Sequence, residues 1–233
     1  MSPQALREIL AGDTVEAARS LIGHVLFRRG PGNMLRTGRI VETEAYTCDD
    51  PASHSYRGKT ARNSSMFCAP GTAYVYLIYG IHYCLNVVTG EKGSGEAVLI
   101  RAIEPLEGIE AMRSARTGSP PGHDGSETLT EKTDRTPATA SKGTGTPPAW
   151  LCSGPGKLCQ ALSIDRSFDR IDLLARGQPG HPGAERSDRI GILPDQYEPA
   201  DSIIAAPRIG IRKSAELPRR FFSAESPHVS RPA

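Results

Sequence analysis

The sequence predicts a single domain of the α+β class, on three observations. Its 233 residues suffice for one substantial core. Its apolar residues recur at a spacing of two in some stretches and of three to four in others, so strands and helices are both expected. A hairpin stands near the middle. From Gly71 to Asn86, two runs rich in β-branched and aromatic residues meet at Tyr79-Gly80, where glycine supplies the positive φ of a tight turn.

Asp13, followed three residues later by Glu16, opens a helix on which Val15, Ala18, Leu21 and Ile22 recur. Val25 to Arg29 reads as a strand and Pro31-Gly32-Asn33 as a turn. Gly38 to Tyr46 alternates, with Ile40, Glu42, Glu44 and Tyr46 on one face and Arg39, Val41, Thr43 and Ala45 on the other. Two carboxylates and a tyrosine thus share a face. Cys48 to Pro70 reads as a loop leading into the hairpin. There Tyr74 and Tyr76 project from one face, whereas Tyr79 sits at the tip, where a fold has little to bury it against. Ordinary packing accounts for Tyr74 and Tyr83. A tip tyrosine suits a wedge that enters a stacked partner, such as a base step of DNA.

Glu96 to Ile103 reads as an apolar strand interrupted by Arg101, an arginine that needs a carboxylate or a site to face. Pro105 is expected to start a helix through Leu106, Ile109 and Met112. Thr117 to Ala149 holds Gly, Pro, Ser, Thr and isolated charges with few large apolar residues, and is expected to be a mobile insertion within the one domain spanning residues 1–233. Ser153-Gly154-Pro155-Gly156 precedes a helix carrying Lys157, Leu158 and Leu162. That start suits a phosphate, but the pattern of a nucleotide-hydrolysing loop is missing. Asp169 to Asp172, Ala205 to Ile211 and Phe221-Phe222 read as short strands.

A hydrophobic fraction of 38% with no run long enough to span a bilayer argues against a membrane protein. Met1 to Leu10 lacks the basic and apolar segments of a secretory signal, so a cytoplasmic location is expected. Five cysteines, odd in number and without a Cys-x-x-Cys pair, argue against a disulfide framework and a zinc or iron-sulfur centre, and no metal or cofactor is expected. A net charge of +2 does not by itself call for nucleic acid. Two local clusters say more: Arg57, Lys59 and Arg62, and then Arg208, Arg212, Lys213, Arg219 and Arg220. Each fits a solvated surface, and together they fit a groove holding phosphates.

Six blocks carry a resemblance. They are Gly-Arg-Ile-Val-Glu-Thr-Glu-Ala-Tyr (38–46), Ser-His-Ser (53–55), Arg-Asn (62–63), Gly-Thr-Ala-Tyr-Val-Tyr-Leu-Ile-Tyr-Gly (71–80), Leu-Ile-Arg-Ala-Ile-Glu-Pro-Leu-Glu-Gly (99–108) and Leu-Cys-Ser-Gly-Pro-Gly-Lys-Leu (151–158). In this order they resemble the alkyladenine, or methylpurine, DNA glycosylases. The resemblance covers roughly Asp13 to Arg116 and Leu151 to Ser230, and not the insertion between them.

The resemblance implies a curved, mostly antiparallel sheet with a protruding hairpin, flanked by helices. It implies a monomeric, monofunctional base-excision enzyme acting on damaged purines in double-stranded DNA, cytoplasmic in bacteria or nuclear in a eukaryote. Glu44 matches the general base that deprotonates water, and Arg101 the arginine beside it. Glu42 shares their face and is expected to be structural. Tyr46, His54 and Tyr76 match the walls that stack the flipped base, and Asn86 a residue that crowds normal guanine. Tyr79 matches the intercalating wedge, with Ile81 at the second wedge position and His82 where a larger group is usual. Arg62, Asn63 and Lys157 are expected on the DNA backbone. Alkylated purines, already cationic, depart without a general acid and are the expected substrates. A non-catalytic protein that binds and shields damaged bases is the alternative; it would need the wedge and walls but not Glu44.

Overall fold

The computed structural model describes residues 1–118, 147–175, 189–194 and 203–231, so most of the expected insertion, residues 119–146, lies outside the described residues. Two short helices open the chain, each started by a side-chain cap. Ser2 Oγ accepts the Ala5 N–H at 3.1 Å ahead of α1 (Pro3–Ala11), where Pro3 has no N–H to leave unpaired. Asp13 Oδ1 accepts the N–H groups of Val15 and Glu16, each at 2.9 Å, ahead of α2 (Thr14–Ser20). The periodicity reading passed over α1, whose buried stripe is only Leu6 and Leu10.

The strands are β1 (Val25–Arg29), β2 (Leu35–Tyr46), β3 (Ala73–Ile78), β4 (His82–Thr89), β5 (Glu96–Glu107), β6 (Arg189–Leu193), β7 (Ile203–Ala206) and β8 (Arg220–Ser223). They form one curled antiparallel sheet in the order β3-β4-β5-β2-β1-β6, with β8 also on β2 and β7 on β8. With four helices among the described residues, this is the expected α+β class.

β2 organises the sheet. One of its edges pairs with β5 almost throughout, while the other is divided, β1 holding Leu35 to Arg39 and β8 holding Glu42 to Glu44. Where that edge changes hands, the register against β5 shifts between Ile40 and Glu42 and again between Glu42 and Thr43. The first places an extra residue, Val41, in β2 and turns its alternation over, and the second places the extra residue, Arg101, in β5. Ile40 therefore joins the core with Ala45, and Thr43 Oγ1 donates to the Ala18 carbonyl at 2.7 Å, while Glu42 and Glu44 meet Arg101 on the other face. The plain alternation that put Ile40 beside Glu42 is corrected by these bulges.

β5 runs four residues beyond the expected strand, and Pro105 lies in it, opposite Gly38. The following helix, α3 (Ile109–Thr117), starts after Gly108 instead. Gly108 has φ +72°, and a Cβ there would lie 2.3 Å from the Leu35 carbonyl oxygen, so glycine sets the boundary.

The main core packs Leu6 and Leu10 of α1, Ala18 of α2, and Leu158 and Ala161 of α4 (Pro155–Ala161) against Val75, Leu85 and Ile100. Burying such side chains contributes about 1.5–3 kcal/mol each for the larger ones. The other face of the hairpin carries a smaller cluster, Met66, Tyr74, Val88 and Ala97, with Phe67 and Tyr76 packed on it. That cluster floors the functional site.

Candidate active site

A cavity of about 420 Å³ opens between the hairpin, β5 and the stretch Ile209 to Ile211. This lies within the range of small-molecule pockets, roughly 300–1,000 Å³. Tyr46, His54, Tyr76, Tyr79, Asn86 and Arg101, six residues singled out in the sequence, all line it. Ile81, Arg62, Asn63 and Lys157 do not.

The aromatic side is built on the spacing of two along β3. Tyr74 and Tyr76 share a face, with ring centres 5.3 Å apart, and the His54 ring meets Tyr76 edge-on at 4.6 Å. His54 Nδ1 lies 2.9 Å from the Tyr74 hydroxyl, so Tyr74, almost fully buried, also orients the histidine. Burial pushes the Tyr74 hydroxyl up to about 12 and raises Tyr76 as well, keeping both phenols protonated. Burial, then the nearby Arg62 cation, lowers His54 below its ordinary value, which favours a neutral imidazole at pH 7. Asn86 is buried and donates Nδ2 to the Tyr74 carbonyl at 3.0 Å.

The side chain of Asn63, a residue expected on the DNA backbone, is engaged within its own loop. Its Oδ1 accepts from Thr60 N at 2.6 Å and Thr60 Oγ1 at 3.0 Å, and its Nδ2 donates to the carbonyls of His54 at 2.8 Å and Gly58 at 3.0 Å. Four bonds use up the amide. Asn63 shapes the loop that carries His54 and has no side-chain atom left for a phosphate.

Arg101 meets both carboxylates of β2. Its Nε donates to Glu42 Oε1 at 3.0 Å, and its Nη1 lies 3.2 Å from Glu44 Oε1. Burial alone would lower its pKa, but Glu44 and then Glu42 outweigh this and raise it, so the cation is locked in. Glu44 is fully buried and does not itself line the cavity. Its partners do: Tyr46 donates its hydroxyl to Oε2 at 2.9 Å, Ile209 its N–H to Oε1 at 2.7 Å, and Arg101 completes the set. The carboxylate thus lies one layer behind the cavity wall. Burial and then Glu44 push the Tyr46 phenol well above its ordinary value, so it remains a donor.

Three features of this site went unread in the sequence. The Arg208 guanidinium sits 4.6 Å from the centre of the Tyr46 ring, donates to the Ala45 carbonyl at 2.9 Å and pairs with buried Asp50. Arg219 bonds Thr47 Oγ1 at 2.7 Å, and Arg220 donates Nε to Glu42 at 2.7 Å. Three of the five cations in the later basic cluster are therefore spent on internal partners, and only Arg212 and Lys213 are exposed. The Ile209 N–H has no sequence signature, since every residue but proline carries one.

The hairpin turn is a three-residue loop, Tyr79-Gly80-Ile81, closed by the pairing of Ile78 with His82. Tyr79 has φ +54° and is 82% exposed; Ile81 is 71% exposed. A bulky residue held in the left-handed region costs free energy, and such strain clusters where a side chain is presented for use. Arg62 is exposed beside the hairpin, donating to the Leu77 carbonyl at 3.3 Å, and Lys157 is exposed on the first turn of α4. Among the described residues no helix is long and apolar enough to cross a membrane, and no group of three or more His, Cys, Asp or Glu side chains could hold a metal ion.

A model of the methylpurine-DNA glycosylase family matches residues 8–227. A relative from Francisella tularensis is 39% identical over 226 residues, covering 97% of this chain and 98% of its own length. One from Methanoculleus marisnigri is 42% identical over 219 residues, 94% of each chain, and one from Carboxydothermus hydrogenoformans is 39% identical over 229 residues, 97% of each. All three carry the name "Putative 3-methyladenine DNA glycosylase". With an aromatic cavity, a buried carboxylate behind it and a family match over nearly its whole length, the chain belongs to the methylpurine-DNA glycosylase family.

Proposed function

We propose that the protein is a monofunctional DNA-repair glycosylase that rotates an alkylated purine out of duplex DNA and hydrolyses its N-glycosidic bond, leaving an abasic site. The observation that carries this reading is the placing of an exposed, left-handed Tyr79 on the rim of an aromatic cavity backed by Glu44. A base inside a duplex is out of reach of a cavity, so it must leave the stack, and something must fill the gap. Tyr79 fills it, with Ile81 beside it. Arg62 and Lys157 hold phosphates on either side.

The extruded purine stacks on Tyr46, His54 and Tyr76. A purine alkylated at N3 or N7 is cationic, so the tyrosine faces add cation-π attraction to stacking, and a neutral His54 avoids repelling it. Asn86 crowds the exocyclic group of a normal guanine. As the glycosidic bond lengthens, its electron pair moves onto the base and neutralises it, so no general acid is required. The sugar gains oxocarbenium character, which Glu44 stabilises by charge. A carboxylate has about four acceptor positions, and the contacts of Glu44 use three. Because Glu44 lies one layer behind the cavity wall, that wall opens as the DNA docks and admits the attacking water to the fourth, and the water's proton passes to Glu44 as its oxygen bonds to C1′. Arg101 fixes the carboxylate.

The test is single-turnover release of free base from a duplex holding one alkylated purine. The parent protein is expected to release the base and leave an alkali-labile site. Glu44→Gln is expected to do so at least about 100-fold more slowly. A parent that binds the lesion tightly yet releases nothing would make the protein a damaged-base shield instead.

A further inference from the structure

The second carboxylate of β2, Glu42, ties the active site to the far end of the chain. It is fully buried, and four donors converge on it: Arg101 Nε at 3.0 Å, Arg220 Nε at 2.7 Å, Ser230 N at 2.6 Å and Ser230 Oγ at 2.8 Å. Ser230 also accepts a bond from Arg101 Nη2 at 3.2 Å. A hydroxyl is donor and acceptor at once, so this serine bridges the carboxylate and the guanidinium. The three nitrogens of Arg101 are thereby each assigned, Nε to Glu42, Nη1 to Glu44 and Nη2 to Ser230. Arg220 holds the strap in place by donating Nη2 to the Arg231 carbonyl.

We propose that Ser230 is a positioning residue for base excision, which holds the planar fork of Arg101 so that its Nη1 stays aimed at Glu44. A guanidinium is a rigid fork whose bonds favour one plane. The contacts at Nε and Nη1 are both to carboxylates of β2, and the Nη2 bond to Ser230 holds the fork from the opposite side, against rotation away from Glu44. Arg101 lines the cavity, so a swing of the fork moves both the Glu44 partner and the cavity wall. The backbone N–H of Ser230 anchors the segment, and the hydroxyl does the aiming. This rests on the reading of Glu44 and Arg101 as the bond-breaking pair.

The test compares parent, Ser230→Ala and Ser230→Thr in single-turnover base release at saturating enzyme, with lesion-duplex binding and thermal midpoint measured on each. Release by the parent establishes the glycosylase reading independently. Ser230→Ala keeps the backbone bond to Glu42 and is expected to lower the maximal rate about tenfold, the worth of one hydrogen bond to a charged group. Half-saturation should stay within about twofold, because the hydroxyl touches Arg101 and not the DNA. Threonine keeps the hydroxyl and should restore most of the rate. Should alanine lower the folded yield, Ser230→Cys, close in shape but a poor donor, is to be equally slow. An alanine variant as fast as the parent, a loss not rescued by threonine, or a loss matched by weaker binding overturns the proposal.

Discussion

Glu42 and Glu44 are two residues apart on one strand, face the same way and are both fully buried, yet they are built for different work. Glu42 receives four hydrogen bonds, two of them from arginines, and three of the four crowd onto Oε1. Glu44 receives two hydrogen bonds and one ion-pair contact, and each of those partners lines the cavity. A buried carboxylate shared by two buried arginines is structure, because removing it leaves uncompensated charge. A carboxylate whose partners all belong to a cavity wall is placed for chemistry. Residue type and spacing are identical in the two cases. What separates them is the number of donors that other segments bring.

The sharpest way to break this comparison is the pair of glutamine variants. Glu44→Gln should remove base release, by about 100-fold or more, while the thermal midpoint moves little, because Arg101 keeps Glu42. Glu42→Gln should do the opposite first and lower the midpoint, since Arg101 still pairs with Glu44 but buried Arg220 loses its ion pair, and removing one member of a buried pair costs about 3–5 kcal/mol. A Glu42→Gln protein as stable as the parent would put the structural role on the wrong residue.

Next in size is the hairpin tip. Tyr79→Ala is expected to slow release about tenfold or more on duplex substrate, because unstacking a base costs a few kcal/mol that the wedge offsets. On single-stranded substrate it should match the parent. Glu44→Gln, by contrast, should be slow on both. Equal loss on both strand forms would place Tyr79 in the chemistry and not in extrusion.

Tyr46→Phe sharpens the account of Glu44. The ring and its stack on Arg208 stay, and only the hydroxyl bond to Oε2 is lost. The rate is expected to fall about fivefold to tenfold with unchanged lesion binding. A binding defect without a rate defect would assign Tyr46 to stacking alone.

The smallest expected effect is the pH dependence of His54. Burial, with Arg62 second, lowers its folded value below the ordinary one of about 6.5. The unfolded chain therefore takes up the proton first, so the stability carried by the neutral ring is complete above about pH 6.5 and is lost as the pH falls through the folded value. His228, lowered by burial, has the same sign. The readout is thus a difference: between about pH 7 and 5.5 the midpoint of His54→Gln should decline less steeply than that of the parent. Part of the His54 surface stays open to solvent, so the gap is small, and parallel slopes would remove the claim.

Much of this was legible locally. The composition of Gly71 to Asn86 marked a hairpin, and Gly80, with φ +73°, takes the positive value its turn requires. Asp13 caps α2 as its spacing with Glu16 suggested. An arginine within an apolar strand had to meet a carboxylate or face a site, and Arg101 meets two carboxylates and lines the cavity. Other features were hidden by distance. The bulges that turn Ile40 inward arise because β1 and β8 share one edge of β2, and nothing within residues 38–46 states that. Pro105 looked like a helix start, although the close approach of Leu35 to Gly108 decides the boundary. Asn63 looked available, and its own loop consumes it.

By itself, then, the sequence determined the class of fold, the hairpin with a tyrosine at its tip, and the kinds of side chain a glycosylase of this family needs. The first two are short-range matters of turn dihedrals, alternation and capping, settled within a few residues, and the third rests on the resemblance of the six blocks. Only the tertiary structure decided which carboxylate is gripped by two arginines and the C-terminal segment and which is held by the residues of the cavity wall. The bonds that make the difference join residues 59, 178 and 188 positions apart for Glu42 and 165 apart for Glu44. They exist only once the sheet has curled and the C-terminal segment has docked on it, because hydrogen bonds are short and directional and no local pattern records which distant donor will arrive.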